Sequence, residues 1–187
     1  LQTFFAHCPG LKVVAPATPY DVKGLLKSAI RDDNPVVVLE GELMYAWKGD
    51  VPAEEYLVPI GVAEVKRPGN DVTIATCSKP LRMTLETAAA LEQEGISAEV
   101  VDLRSLRPLD DETVCASVRK TGRCVIVDES WPVCSVGSHL ASIVSNKCFD
   151  DLDAPVELVA SEDVPMPYNH ALELAAQPSA ERLVAAV

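Results

Sequence analysis

His7-Cys8-Pro9 sets an imidazole beside a thiol, the pairing a cysteine nucleophile needs. No third group stands at a spacing that would orient the base, so the pair reads as a loop histidine next to a half-buried thiol. His139 falls inside a helical pattern and His170 near a helix start, where packing or surface roles are expected. Arg104 and Arg107, in Asp102-Leu-Arg-Ser-Leu-Arg-Pro108, form either a bidentate clamp for a carboxylate or phosphate, or a loop brace pairing with Asp102, Asp110 and other local carboxylates. The brace is the favoured reading. Asp150-Asp-Leu-Asp153 reads as a solvated acidic loop or as a docking point for a basic partner. From Ala29 to Asn34 a helix ends. Its last carbonyls lack helical partners, and the oxygens of Asp32 and Asn34 fall in the same turn, which makes a small oxygen cage suited to a hard cation. No glycine-rich phosphate cradle, nucleophile elbow or His-Glu-x-x-His motif occurs.

These residues need a scaffold, and the hydrophobic pattern supplies one. Leu11 to Pro16 predicts a strand. Tyr20 to Arg31 predicts a helix with Asp21 in its first turn, where the helix dipole favours an anion, and Asp32-Asp33-Asn34-Pro35 ends it. Val36 to Leu39 is a continuous apolar run of the kind covered on both faces, so this stretch reads as a right-handed βαβ unit. From Glu40 to Pro68 the pattern dissolves into glycines and prolines, with a short edge strand near Val62 to Lys66. A second alternation follows: a strand at 72–76, a helix at 80–94, a strand at 98–103, a helix from about Asp110 to Lys120, and a strand at 124–128. A helix at 136–145, a strand at 155–160 and two short helices close the chain. The arginines of Arg104-Ser-Leu-Arg107 then lie past the C-terminal end of a parallel strand, the edge where open α/β sheets meet ligands and partners.

Bulk properties exclude several classes. The net charge is −12, from 16 basic and 28 acidic residues, which disfavours nucleic acid and anionic membrane surfaces and favours a basic partner. No apolar run approaches the roughly 20 residues that span a bilayer. The six cysteines include no Cys-x-x-Cys pair and read as buried free thiols of a reducing compartment. The fold class expected is α/β: a doubly wound domain with a mostly parallel sheet, preceded by the last βαβ part of another domain.

Four stretches together carry a resemblance: His7 to Pro16, Gly24 to Glu40, Val101 to Asp110 and Asp163 to Tyr168. In them the chain resembles the beta subunits of the thiamine-diphosphate-dependent 2-oxoacid dehydrogenases, with pyruvate the expected substrate. The resemblance implies the end of a pyrimidine-binding domain at 1–45, a linker at 46–69 and a transketolase C-terminal-type domain at 70–187. It also implies that the glutamate activating thiamine and the histidine of a His-Ser-Gln segment belong before Leu1, and that the chain stops several residues short of the family's C-terminus. No catalytic or thiamine-binding residue is therefore expected within the chain. His7 matches a different position and inherits no role. Ala29, Ile30, Asp32 and Asn34 match positions holding a structural potassium ion. Asp153 matches an acidic position that meets the basic binding domain of a dihydrolipoyl acyltransferase core. The implied partners are an alpha subunit and a second beta subunit as well as that core. Thiamine diphosphate and magnesium are expected only in the full alpha/beta assembly. The implied reaction is oxidative decarboxylation with acyl transfer to lipoyl-lysine, in a mitochondrial matrix, plastid stroma or bacterial cytoplasm; the isolated chain is expected to be inactive. The Arg104-to-Arg107 loop is expected to order a subunit interface rather than touch substrate. Two alternatives stand: a non-catalytic assembly module, or the beta subunit of a branched-chain or other transketolase-type thiamine enzyme.

Overall fold

The computed structural model describes residues 2–187. Two sheets form. In the smaller, β1 (Lys12–Val14) pairs in parallel with β2 (Val36–Val38), Lys12 opposite Val36, and α2 (Pro19–Arg31) connects them. Thr18 caps α2, its side chain accepting from Asp21 N, and Pro19 opens the first turn, where its missing N–H costs nothing. A short helix, α1 (Gln2–Ala6), precedes β1. β2 is an edge strand and all three of its valines are only half-buried, so the expectation that both its faces are covered does not hold among the described residues.

The larger sheet has the order β3-β5-β4-β7-β8. Its parallel strands are β4 (Val72–Thr76), β5 (Ala98–Asp102), β7 (Cys124–Asp128) and β8 (Glu157–Ala160). β3 (Glu64–Arg67) adds an antiparallel edge beside β5. The strand period sorts side chains between two cores. Val72, Ile74, Val100, Val125 and Val127 pack with α3 (Pro80–Gln93) and with α7 (Ala180–Ala186) through Leu183. Ala75, Val101, Cys124 and Ile126 face the other way, toward α4 (Asp111–Thr121) and α5 (Val136–Lys147). On that second face a few polar groups satisfy one another: Thr73 Oγ1 lies 2.6 Å from Ser117 Oγ, which also donates to Glu99 Oε1 at 2.6 Å. Asp110 caps α4 as the sequence predicts, accepting from Thr113 N, and Gly122 ends it in the left-handed conformation. α6 (His170–Ala176) lies before α7.

The loop after β5 differs from expectation. Ser105–Arg107 is a strand, β6, and it pairs antiparallel with β1, Val14 opposite Ser105. Leu106 thereby joins Val13 and Ala15 in the core of the larger unit, and the chain just after β5 supplies the third strand of the smaller sheet. Part of the stretch 46–69, expected as a linker, packs on α2: Tyr56 stacks on Tyr20 at 4.4 Å between ring centroids, and Ser28 Oγ donates to the Val58 carbonyl at 2.6 Å. The edge strand expected near Val62 to Lys66 is β3.

Candidate functional site

The two arginines part company. Arg107 Nη1 donates to the Ala6 carbonyl at 2.6 Å and ties α1 to β6. Arg104 turns to the opposite side and is buried. Its backbone φ is +54°, a left-handed conformation that non-glycine residues seldom adopt, and the guanidinium contacts hold it there. Nε donates to the Val62 carbonyl at 3.1 Å and Nη2 to the Ala63 carbonyl at 3.4 Å, while Nη1 reaches Asp21 Oδ1 at 3.2 Å and Glu64 Oε2 at 3.0 Å. The arrangement is therefore not a ligand clamp. It is a brace, but to carboxylates far away in the chain rather than to the local ones expected.

Asp21 is the centre of this brace. Read from sequence as a first-turn helix charge, it is wholly buried and accepts from Thr18 Oγ1 at 2.5 Å, from Lys66 Nζ at 2.9 Å and from Arg104. Burial pushes its carboxyl up, but the hydrogen bonds from Lys66, Thr18 and Arg104 outweigh burial and hold it below its ordinary value. Lys66 also pairs with Glu64. Sequence reading missed Asp21 and Lys66 in this role.

At the far end of α2, Asp32 Oδ2 takes Lys12 Nζ at 2.5 Å, and Oδ1 accepts both the backbone N–H and the side-chain amide of Asn34 at 2.9 Å. These bonds, Lys12 first, hold the Asp32 carboxyl at about 2. The Asp32 N–H closes on the Ala29 carbonyl at 3.3 Å, and the Asn34 N–H goes to the Asp32 side chain instead of to a helix carbonyl. Ala29, Ile30, Asp32 and Asn34 thus share one turn, with Asp32 and Asn34 locked together and main-chain carbonyls of the helix end left for other partners.

Asp153 is exposed. Its N–H donates to the Gly122 carbonyl at 2.8 Å, and a Cβ on Gly122 would fall 2.7 Å from its Oδ2, so the glycine admits this close approach. Asp151 has Arg119 at 3.7 Å, whereas Asp153 has no ion pair among the described residues. Phe149, immediately before the acidic run in sequence, is strongly exposed.

His7, Arg107, Cys134, Ser138 and His139 line a cavity of about 590 Å³. Cys8 does not join His7: its thiol donates to the Phe4 carbonyl at 3.4 Å. His170 is exposed. All six cysteines are free, Cys8 and Cys134 exposed and four buried. Burial pushes the Cys115 and Cys124 thiols up to about 12, which leaves them unreactive near neutral pH.

A mostly parallel, doubly wound sheet with an antiparallel edge strand, joined through β6 to a preceding βαβ unit, defines the class: a transketolase-type C-terminal domain with part of a pyrimidine-binding partner domain. The chain belongs to the transketolase C-terminal domain family, whose model matches residues 61–183; the transketolase pyrimidine binding domain matches residues 1–48. The beta subunit of the mitochondrial pyruvate dehydrogenase E1 component of Caenorhabditis elegans is 50% identical over 191 residues, covering 100% of this chain and 54% of that protein. The corresponding subunit of Rickettsia felis is 47% identical, covering 98% and 56%. The beta subunit of acetoin:2,6-dichlorophenolindophenol oxidoreductase of Bacillus subtilis is 44% identical, covering 98% and 54%. Among solved structures, a split-gene transketolase, described as an inactive beta4 tetramer, superposes with a TM-score of 0.80 at 29% identity, covering 99% of this chain and 58% of that one. The chain spans about half the length of the relatives it matches.

Proposed function

We propose that this chain is a portion of the beta subunit of a pyruvate dehydrogenase, which with an alpha subunit performs the thiamine-dependent oxidative decarboxylation of pyruvate and passes the acyl group to lipoyl-lysine. The observation that carries this reading is the 50% identity to a pyruvate dehydrogenase beta subunit over the whole chain, across both units rather than over the C-terminal domain alone. Thiamine diphosphate, with magnesium, supplies the nucleophilic carbanion chemistry when bound. Among the described residues no set of three or more His, Cys, Asp or Glu side chains is placed to hold a metal. In this reading the chain's own contribution is assembly. Its partners are the alpha subunit, a second beta subunit and the acyltransferase core, in a mitochondrial matrix or a bacterial cytoplasm. No helix among the described residues is long and apolar enough to cross a membrane.

Two sites follow from this reading. The α2 terminus fits a potassium ion, with the Ala29 and Ile30 carbonyls and the locked Asp32–Asn34 pair as oxygen ligands. Its thermal midpoint is expected to rise in potassium chloride relative to an equal concentration of sodium chloride, and to do so less in Asn34→Ala; equal midpoints in the two salts would remove the site. Asp153, exposed beside Gly122, supplies the acidic contact to the acyltransferase's basic domain. Titration with that domain is expected to weaken about tenfold for Asp153→Ala, as for a lost charge-assisted contact, and an unchanged affinity would count against it. The acetoin relative supports a second reading, a beta subunit acting on acetoin, which substrate choice in an assembled enzyme separates from the first.

A further inference from the structure

The buried charges between α2 and the larger sheet have no part in the proposed reaction. They gather from several elements: Asp21 on α2, Glu64 and Lys66 on β3, Asp102 at the end of β5 and Arg104 just beyond it. Asp21 and Asp102 are both wholly excluded from solvent. The charges of Asp21 and Glu64 balance those of Lys66 and Arg104, so an ionised Asp102 would leave one negative charge in excess. Asp102 Oδ1 accepts the Arg104 N–H at 3.1 Å, but Oδ2 is buried without any partner. A neutral carboxyl tolerates that position far better than a carboxylate does. Burial, and then the neighbouring Asp21 charge, push the Asp102 carboxyl up to about 7, against the smaller opposing effects of Lys66 and Arg104.

We propose that this junction is a proton-dependent latch between the pyrimidine-binding portion and the C-terminal-type sheet: a proton on Asp102 keeps α2 seated against β3 and the β5–β6 turn, and its loss loosens that seat. An ionised Asp102 repels Asp21 and competes with it for Arg104 and Lys66. The contacts that weaken are those joining α2 to the sheet, because Asp21 is the only member of the group that α2 contributes. The sign follows from linkage. The closed junction binds the Asp102 proton more tightly than an opened, solvated one with an ordinary carboxyl. Opening therefore becomes easier as pH rises from about 4 to about 7 and levels off above.

The test is amide hydrogen exchange of the whole chain, corrected for the intrinsic pH dependence of exchange. Between pH 6 and pH 8 the opening equilibrium of α2 is expected to increase about tenfold relative to β7. Asp102→Asn, which keeps the shape and removes the charge, is expected to abolish that increase. The same α2 profile in the variant as in the parent chain would overturn the latch. If the variant does not fold, the Asp102 carboxyl carbon can be titrated by NMR in the unaltered chain. A midpoint near 7 supports the proposal, and a midpoint near the ordinary value of about 4 overturns it.

Discussion

Arg104→Met is expected to lower the unfolding free energy by about 3 kcal/mol, because it removes one of the two cations that balance the buried Asp21 and leaves the group with a negative charge in excess. Arg104 alone spans three segments: it binds Asp21 on α2, Glu64 on β3 and the carbonyls of Val62 and Ala63 before β3. A methionine fills much of the same space but returns none of these bonds, and it must still adopt the left-handed backbone at this position. Lys66 remains on Asp21 and limits the loss. For a chain of this size the change corresponds to a fall in melting temperature of roughly 6–12 °C. Combining Arg104→Met with Asp21→Asn should cost less than the sum of the single changes, because the two share one interaction. Urea denaturation reads all three variants; a single-variant loss below about 1 kcal/mol would show that the brace is ornamental.

Gly69→Ala is expected to be nearly as damaging for a different reason. A Cβ there would lie 2.2 Å from the Ala98 carbonyl carbon and 2.3 Å from Glu99 N, so it meets backbone and not a side chain that can rotate away. The chain after β3 would have to lift off the start of β5, pulling the adjacent Asn70 and Asp71 N–H groups from the Ser97 carbonyl, which both now reach at 2.9 Å. Overpacking of this kind costs roughly 3 kcal/mol. Asn70→Ala, one residue along and exposed, should stay within about 0.5 kcal/mol of the parent. Equal midpoints for the two variants would mean that the β3–β5 edge yields easily.

The parts of the fold legible in the sequence are those fixed by local pattern. β4, β5 and β7 are runs of β-branched residues bounded by turns, and α4 declares itself through the Asp110 cap and Gly122. What escapes local reading depends on distant partners. Ser105-Leu106-Arg107 has the composition of a loop and becomes a strand only because β1 lies alongside it. Asp21 suits the first turn of a helix so well that nothing nearby hints at its burial, and the residues that explain it lie 45 and 83 positions away. The candidate ion turn and the acidic corner divide in the same way. Asp32 and Asn34 are adjacent enough for their contact to be foreseen, whereas Lys12, 20 positions before Asp32, is not. The closeness of Asp153 to Gly122 likewise emerges only in three dimensions.

The most direct measurement of the central claim is carbon dioxide release from pyruvate by a hybrid beta subunit, in which residues 1–187 of this chain replace the matching part of the Caenorhabditis elegans subunit, assembled with its alpha subunit, thiamine diphosphate and magnesium. The assembled hybrid is expected to decarboxylate pyruvate in preference to acetoin, while the 187-residue chain alone with the same cofactors is expected to release none. Pyruvate turnover by the isolated chain, or a correctly assembled hybrid that leaves pyruvate untouched, would contradict it.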